Sequence, residues 1–375
     1  MAKSKLKIAG LATGLVLALV LGYLIYIFIA AGQLRPVEPH FDGDCTAVGG
    51  LVGAEDITFQ PSGRLAYISS DDRRATIAGK PRPGAIFGYY LDGPGPGRLV
   101  NLTPSPPPRF HPHGISLVAA PDEPDRLLVV NHPGASLYNE RRGAGPAHTV
   151  ELFELQGGRL VHRRTFSGAA LVSPNDVAAV AADRFYVTND HGSTTLRGHK
   201  LEDYLRLRRS NVVYFDGQAF SVVARDLRFA NGVALGRDGT SLFVAATTDS
   251  EVVHYHRLPD GRLRLRRRIA LDTGPDNIEV DAEGNLWIGA HPRLLTFLSH
   301  ASDATRRAPS EVVKLVPDRS RGYRVEQVLM SRGEDLSASS VAARHGSRLL
   351  LGAVFDPRFL DCTMNGVRHS HLTFN

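Results

Sequence analysis

The side chains in this chain that could do chemistry are mostly oxygens, and they come in pairs. Glu55-Asp56, Asn175-Asp176 and Asp276-Asn277 are adjacent acid and amide dipeptides, joined by the single amide Asn231 and by Ser339-Ser340. Carboxylates and carboxamides without thiols suit a hard cation. Calcium accepts about 6 to 8 oxygen ligands, carboxamides and backbone carbonyls included, whereas magnesium keeps more of its water. Neighbours in an extended strand project to opposite sides, so each dipeptide can serve two positions. Two metal ions at different depths are the expectation. His113 and His132 add a second chemistry, because neutral imidazole can accept a proton from water near working pH and pass it on.

Any one Asn or Asp at a strand start more simply hydrogen-bonds its own turn. Recurrence argues otherwise here. Each polar residue opens the same pattern, which is clearest from Asn231 to Thr247: a short apolar stretch, a Gly-Arg-Asp-Gly turn, then a second apolar stretch. The pattern returns at Glu55-Asp56, His113, Asn175-Asp176, Asp276-Asn277 and Ser339-Ser340. Its openings lie roughly 45 to 64 residues apart, and helical periodicity is missing inside the copies. Six β-rich copies at that period predict an all-β fold, a six-bladed β-propeller, whose innermost strands all face one channel. The six openings therefore converge on an axis.

The first 35 residues stand apart. Lys3, Lys5 and Lys7 are half of the six lysines in the chain, and an uninterrupted apolar run from Ile8 to Ala31 follows them. That run is long enough to cross a bilayer and too long for the apolar region of an ordinary cleaved signal. The downstream flank carries Glu38, Asp42 and Asp44, so the positive-inside rule leaves the amino terminus in the cytoplasm and sends the rest across. The reading is a signal anchor over 1–35 and a propeller over 36–375, membrane-tethered on the periplasmic or extracellular side.

A formal charge of +6 and a pI near 9.4 are spread along the chain rather than blocked, which argues against nucleic-acid binding. Arg262 to Arg268 alternates with leucine like an outer strand, and Leu201 to Arg209 reads as an amphipathic helix with a basic face. Residues 36–54 read as a linker. The Pro/Gly-rich stretch from Arg74 to Pro108 reads as loop with irregular outer strands, and Asn139 to Ala147 as an insertion. Cys45 and Cys362 are the only cysteines. Export permits them to pair and clasp the ring, and two buried thiols are the alternative.

With these residues in hand, the chain resembles the paraoxonase/arylesterase family of calcium-dependent lactonases. The resemblance runs from about Cys45 to Cys362 and is carried by Glu55-Asp56, Pro112-His113-Gly-Ile-Ser116, Val129-Val-Asn-His132-Pro, Pro174-Asn-Asp176, Phe229-Ala-Asn-Gly232, Asp276-Asn277 and Leu286-Trp-Ile-Gly-Ala-His291. It implies a tunnel holding two calcium ions. Glu55, Asn175, Asn231, Asp276 and Asn277 would hold the catalytic ion. Asp56, Asp176 and the backbone carbonyl of Ile115 would hold a deeper structural one. It further implies a His113–His132 dyad, a Cys45–Cys362 bond and a retained apolar amino terminus.

The implied activity is hydrolysis of lactones and aryl esters, with a metal-polarised carbonyl attacked by water that His113 or a site carboxylate activates. No Gly-x-Ser-x-Gly elbow points to a serine hydrolase. The rivals are a sugar-lactone hydrolase of gluconolactonase type with one ion, and a calcium-stiffened binding propeller without chemistry. Asp71 to Pro83 and the residues after His191 depart from the animal members, so no substrate wall is carried over. The sequence leaves the natural substrate and the oligomeric state open.

Overall fold

The structure is a computed structural model, and it describes residues 2–91, 93, 97–133 and 148–365. The insertion expected over Asn139 to Ala147 lies outside the described residues, as do Pro94 and Pro96.

Six antiparallel sheets follow one another along the chain. Their innermost strands are Ala54–Phe59, Pro112–Val118, Pro174–Ala181, Ala230–Leu235, Gly274–Val280 and Ser339–His345, the six stretches that the repeat marks. Turn chemistry explains how each copy reverses. In the fourth, Asp238 accepts from the amides of Thr240 and Ser241, and Gly239 takes the left-handed φ of 66° that a side chain would resist.

Each gap between neighbouring blades is filled by its own apolar cluster. Val212, Tyr214, Val233 and Val244 pack blade three on blade four, and Trp287, Val312, Leu349 and Leu351 pack blade five on blade six. A fully buried Leu, Ile or Val contributes about 1.5 to 3 kcal/mol over an exposed one, so six such seams are the main force holding the ring.

Residues upstream of the first blade close the circle. His40–Phe41 adds a fifth strand to blade five, and Gly43–Gly49 supplies the outermost strand of blade six, paired with Arg358–Met364. The stretch expected as a linker is therefore partly sheet, because blade six lacks a fourth strand of its own. Within that pairing Cys45 and Cys362 face each other and are disulfide-bonded. A crosslink spanning 317 positions is worth about 5 to 6 kcal/mol as an upper bound from loop entropy.

Among the described residues four α-helices accompany the strands: α1 (Ala2–Ala30), α2 (Arg73–Ile77), α3 (Leu196–Tyr204) and α4 (Leu294–Ser302). Within α1, Gly10–Ala30 is apolar, is not buried by the rest of the chain, and is long enough to span a bilayer. Two expectations need correction. The Pro/Gly-rich stretch holds α2's last residues and two regular strands, Ala85–Tyr90 and Arg98–Asn101, since its prolines fall between these elements. The amphipathic helix begins earlier than expected and stops at Tyr204, where Arg206 turns into a left-handed conformation and its guanidinium lies over Tyr26 of α1.

Candidate active site

The inner strands approach so closely that two of them need glycine. A Cβ on Gly114 of blade two would lie 2.5 Å from the Cα of Asp176 in blade three, and one on Gly232 of blade four 2.5 Å from the carbonyl oxygen of Asp276 in blade five. Side-chain bonds then stitch the ring. Asp56 Oδ2 accepts from the Ile115 amide at 2.7 Å, Asp176 Oδ2 from the Val233 amide at 2.7 Å, and the Ser340 hydroxyl donates to the Glu55 carbonyl at 2.6 Å.

All the oxygen-bearing residues singled out in the sequence are buried on these strands. Asn175 donates its amide to Asp190 at 3.3 Å, Asn231 to Thr247 at 3.2 Å, and Asn277 to Glu55 Oε1 at 3.0 Å. In each case the nitrogen is tethered and the oxygen is left over. Asn175 Oδ1, Asn231 Oδ1, Asn277 Oδ1 and Glu55 Oε2 are buried and have no hydrogen-bond partner among the described residues. An unpaired buried acceptor costs about 1 to 3 kcal/mol, and a cation is the kind of partner that would satisfy four of them on equivalent strands. The donor set fits calcium. Among the described residues no three His, Cys, Asp or Glu side chains form a metal cluster by themselves, because most of the oxygens here are carboxamides.

Asp56 and Asp176 are a second pair of buried acids on the inner strands. Burial raises both carboxyls well above their usual range; Asp56 is raised further by Asp176, Glu55 and Glu279, and Asp176 by Glu55 and Glu279. Glu279 is pushed up to about 8 by burial. The only position in the expected ligand set that relies on the backbone is Ile115, which is buried, with its amide engaged by Asp56.

His113 and His132 meet, Nδ1 of the first 2.8 Å from Nε2 of the second, and His113 Nε2 lies 3.4 Å from Glu55 Oε1. The row then continues to a residue the sequence reading missed. His132 Nδ1 is 2.8 Å from Nδ1 of His148, which no local signal ties to the other two. Burial holds His132 well below the normal imidazole range, with His148, His113 and Arg73 adding to the effect. Three further residues were missed. Asp190 holds Asn175, His291 Nε2 sits 2.7 Å from Asp276 Oδ2, and Arg73 of α2 lies 3.8 Å from Glu55 Oε2. Two outer crevices, of about 380 and 360 Å³, include none of these residues in their walls.

The fold places the chain among six-bladed propellers of the kind seen in a putative gluconolactonase, with a TM-score of 0.54 at 18% identity over 89% of this chain and 96% of that one. A luciferin-regenerating enzyme aligns similarly, with a TM-score of 0.53 at 10% identity over 86% of this chain and 96% of that one. Sequence narrows the class. The arylesterase family model matches residues 43–364, and the rat serum paraoxonase/arylesterase 1 is 32% identical over 96% of this chain and 99% of its own. The human counterpart is 33% identical over 86% and 89%, and rabbit serum paraoxonase/lactonase 3 is 32% identical over 88% and 90%. The chain belongs to the arylesterase family.

Proposed function

We propose that this protein is a membrane-tethered, calcium-dependent hydrolase of lactones and aryl esters, holding two calcium ions in its tunnel. The observation that carries the reading is the set of four buried, unpartnered oxygens on the inner strands, one of them on Glu55, whose other oxygen lies 3.4 Å from His113 Nε2. The names of its relatives, arylesterase and lactonase, point to the same substrates.

Glu55, Asn175, Asn231, Asp276 and Asn277 would hold the upper ion, and Asp56, Asp176 and the Ile115 carbonyl the deeper one. Two carboxylates per site neutralise each divalent charge, which suits a poorly solvated channel. When bound, the upper calcium supplies a Lewis acid for the substrate carbonyl and positive charge for the developing oxyanion. His113 takes the proton of the attacking water at Nε2, where Glu55 Oε1 at 3.4 Å stabilises the imidazolium. Its Nδ1 proton is shared with His132 Nε2, and His132 remains basic enough only to relay, since burial keeps it neutral. His291 fixes Asp276, and Asp190 fixes Asn175, so the oxygens keep their direction. The apolar helix and the disulfide are consistent with a propeller on the extracytoplasmic side.

The test is turnover of an aryl ester and a panel of lactones by purified protein before chelation, after chelation and after calcium repletion, with bound calcium counted. Loss and recovery of activity at two ions per chain support the reading. One ion per chain would favour the gluconolactonase-like alternative. No turnover of any ester or lactone would leave a binding propeller.

A further inference from the structure

Arg73 is a buried cation at the site whose one ion-pair partner among the described residues is Glu55, at 3.8 Å. It is 8% exposed, on the short helix α2. The acids beside it are engaged elsewhere: Asp71 pairs with His111 at 3.0 Å, and Asp72 caps α2 through the Ala75 amide at 2.9 Å. Among the described residues its Nη2 reaches only the Pro112 carbonyl, at 3.5 Å, and Glu55 Oε2, at 3.8 Å. Its Nη1 is buried and has no hydrogen-bond partner among the described residues. Under the calcium-dependent reading above, on which this inference rests, Glu55 Oε2 is committed to the metal. The guanidinium is then left with a full charge and an open donor beside the reacting position, and an unmatched buried charge is costly.

We propose that Arg73 is a specificity-determining residue that selects substrates carrying a carboxylate close to the scissile bond. A guanidinium offers planar, paired donors that match a carboxylate, so an acidic substituent suits the donor left open at Nη1. The short distance from Arg73 to Glu55 restricts that substituent to the lactone ring or to the atoms next to the ester carbonyl. A remote acid at the end of an acyl chain would not reach. The substrate class is therefore ring-carboxylated lactones and esters of similar shape.

The experiment compares a γ-butyrolactone bearing a ring carboxylate with the same lactone bearing a carboxamide, in calcium-loaded wild type, Arg73→Gln and Arg73→Lys. Wild type is expected to show a higher kcat/KM on the acid. The ratio of acid to amide should fall about 10- to 100-fold in Arg73→Gln, the scale of one charge-assisted hydrogen bond, and partly recover in Arg73→Lys. A ratio measured in one preparation does not depend on how much of the variant folds. A ratio within twofold of wild type in Arg73→Gln, or a wild type that prefers the amide, overturns the proposal while leaving the hydrolase reading intact. Wild type inert toward both lactones, and toward aryl esters, overturns both.

Discussion

Arg35 and Glu311, 276 positions apart in the chain, meet in a two-pronged ion pair, Nη1 to Oε2 at 2.7 Å and Nη2 to Oε1 at 2.5 Å. Glu311 is wholly buried in blade five, and Gln327 also donates to it. The segment leaving α1 is held there as well, by the Leu294 amide on the Ala31 carbonyl and by Arg293 on the Arg35 carbonyl. Arg35→Ala would strand the carboxylate and is expected to cost about 3 kcal/mol, whereas replacing both residues by leucine should cost less. Denaturant midpoints of the two variants check this, and equal losses would deny that the pair acts as a unit.

The Asn231 oxygen depends on Thr247 holding its nitrogen. Asn231→Ala removes an oxygen, and Thr247→Val removes what aims it while keeping the volume. Calcium affinity should fall in both, by about 10- to 100-fold for the orienting residue, and the rise in melting temperature with added calcium should shift to higher concentration. Competition with a chromophoric chelator measures it. Unchanged affinity in Asn231→Ala would remove Asn231 from the ligand set.

In the histidine row, His113 faces the site and His132 lies behind it. His113→Gln is expected to lower kcat by about 10² to 10⁴, and His132→Gln by less, with bound calcium unchanged in both. Full turnover in His113→Gln with calcium bound would pass the role of base to Asp276 or Glu55.

Behind Asn175, His191 Nδ1 sits 2.7 Å from Asp190 Oδ1, and its Nε2 3.1 Å from Asp203 on α3. Burial opposes the imidazolium, but Asp190 and Asp203 prevail and raise His191 to about 10; burial likewise opposes the Asp190 carboxylate, which His191 and Ser173 hold at about 2. A raised histidine stabilises the fold fully below its unfolded pKa near 6.5 and loses that contribution as pH climbs through about 10. Wild type should therefore weaken between pH 6.5 and 10, and His191→Gln should show a flatter profile there. Urea midpoints at saturating calcium across that range decide it; parallel profiles would deny the imidazolium.

How much of this was legible in the chain follows from how local each signal is. The six inner strands were, because a polar opening, an apolar run and a Gly turn are contiguous in sequence. So was the placement of Glu55, Asn175, Asn231, Asp276 and Asn277, buried on those strands. Arg73 was not, since it lies at the edge of a Pro/Gly-rich stretch whose composition hides α2, and its meaning comes from Glu55 on another element. His148 was hidden for the same reason: it follows an insertion and reaches His132 only through the pairing of Arg126–Asn131 with Thr149–Gln156. The strands His40–Phe41 and Gly43–Gly49 belong to blades five and six, whose remaining strands lie more than two hundred residues downstream. No local pattern announces such borrowing.

That borrowing sets an order of events during synthesis. Gly43–Gly49 leaves the ribosome with an open edge and waits for Arg358–Met364, so the circle is incomplete while five blades already exist. Completion of blade six and bonding of Cys45 to Cys362 come only after most of the polypeptide has been made. An arrest of synthesis before that point would leave an open ring in which the Gly43–Gly49 edge has no strand to pair with.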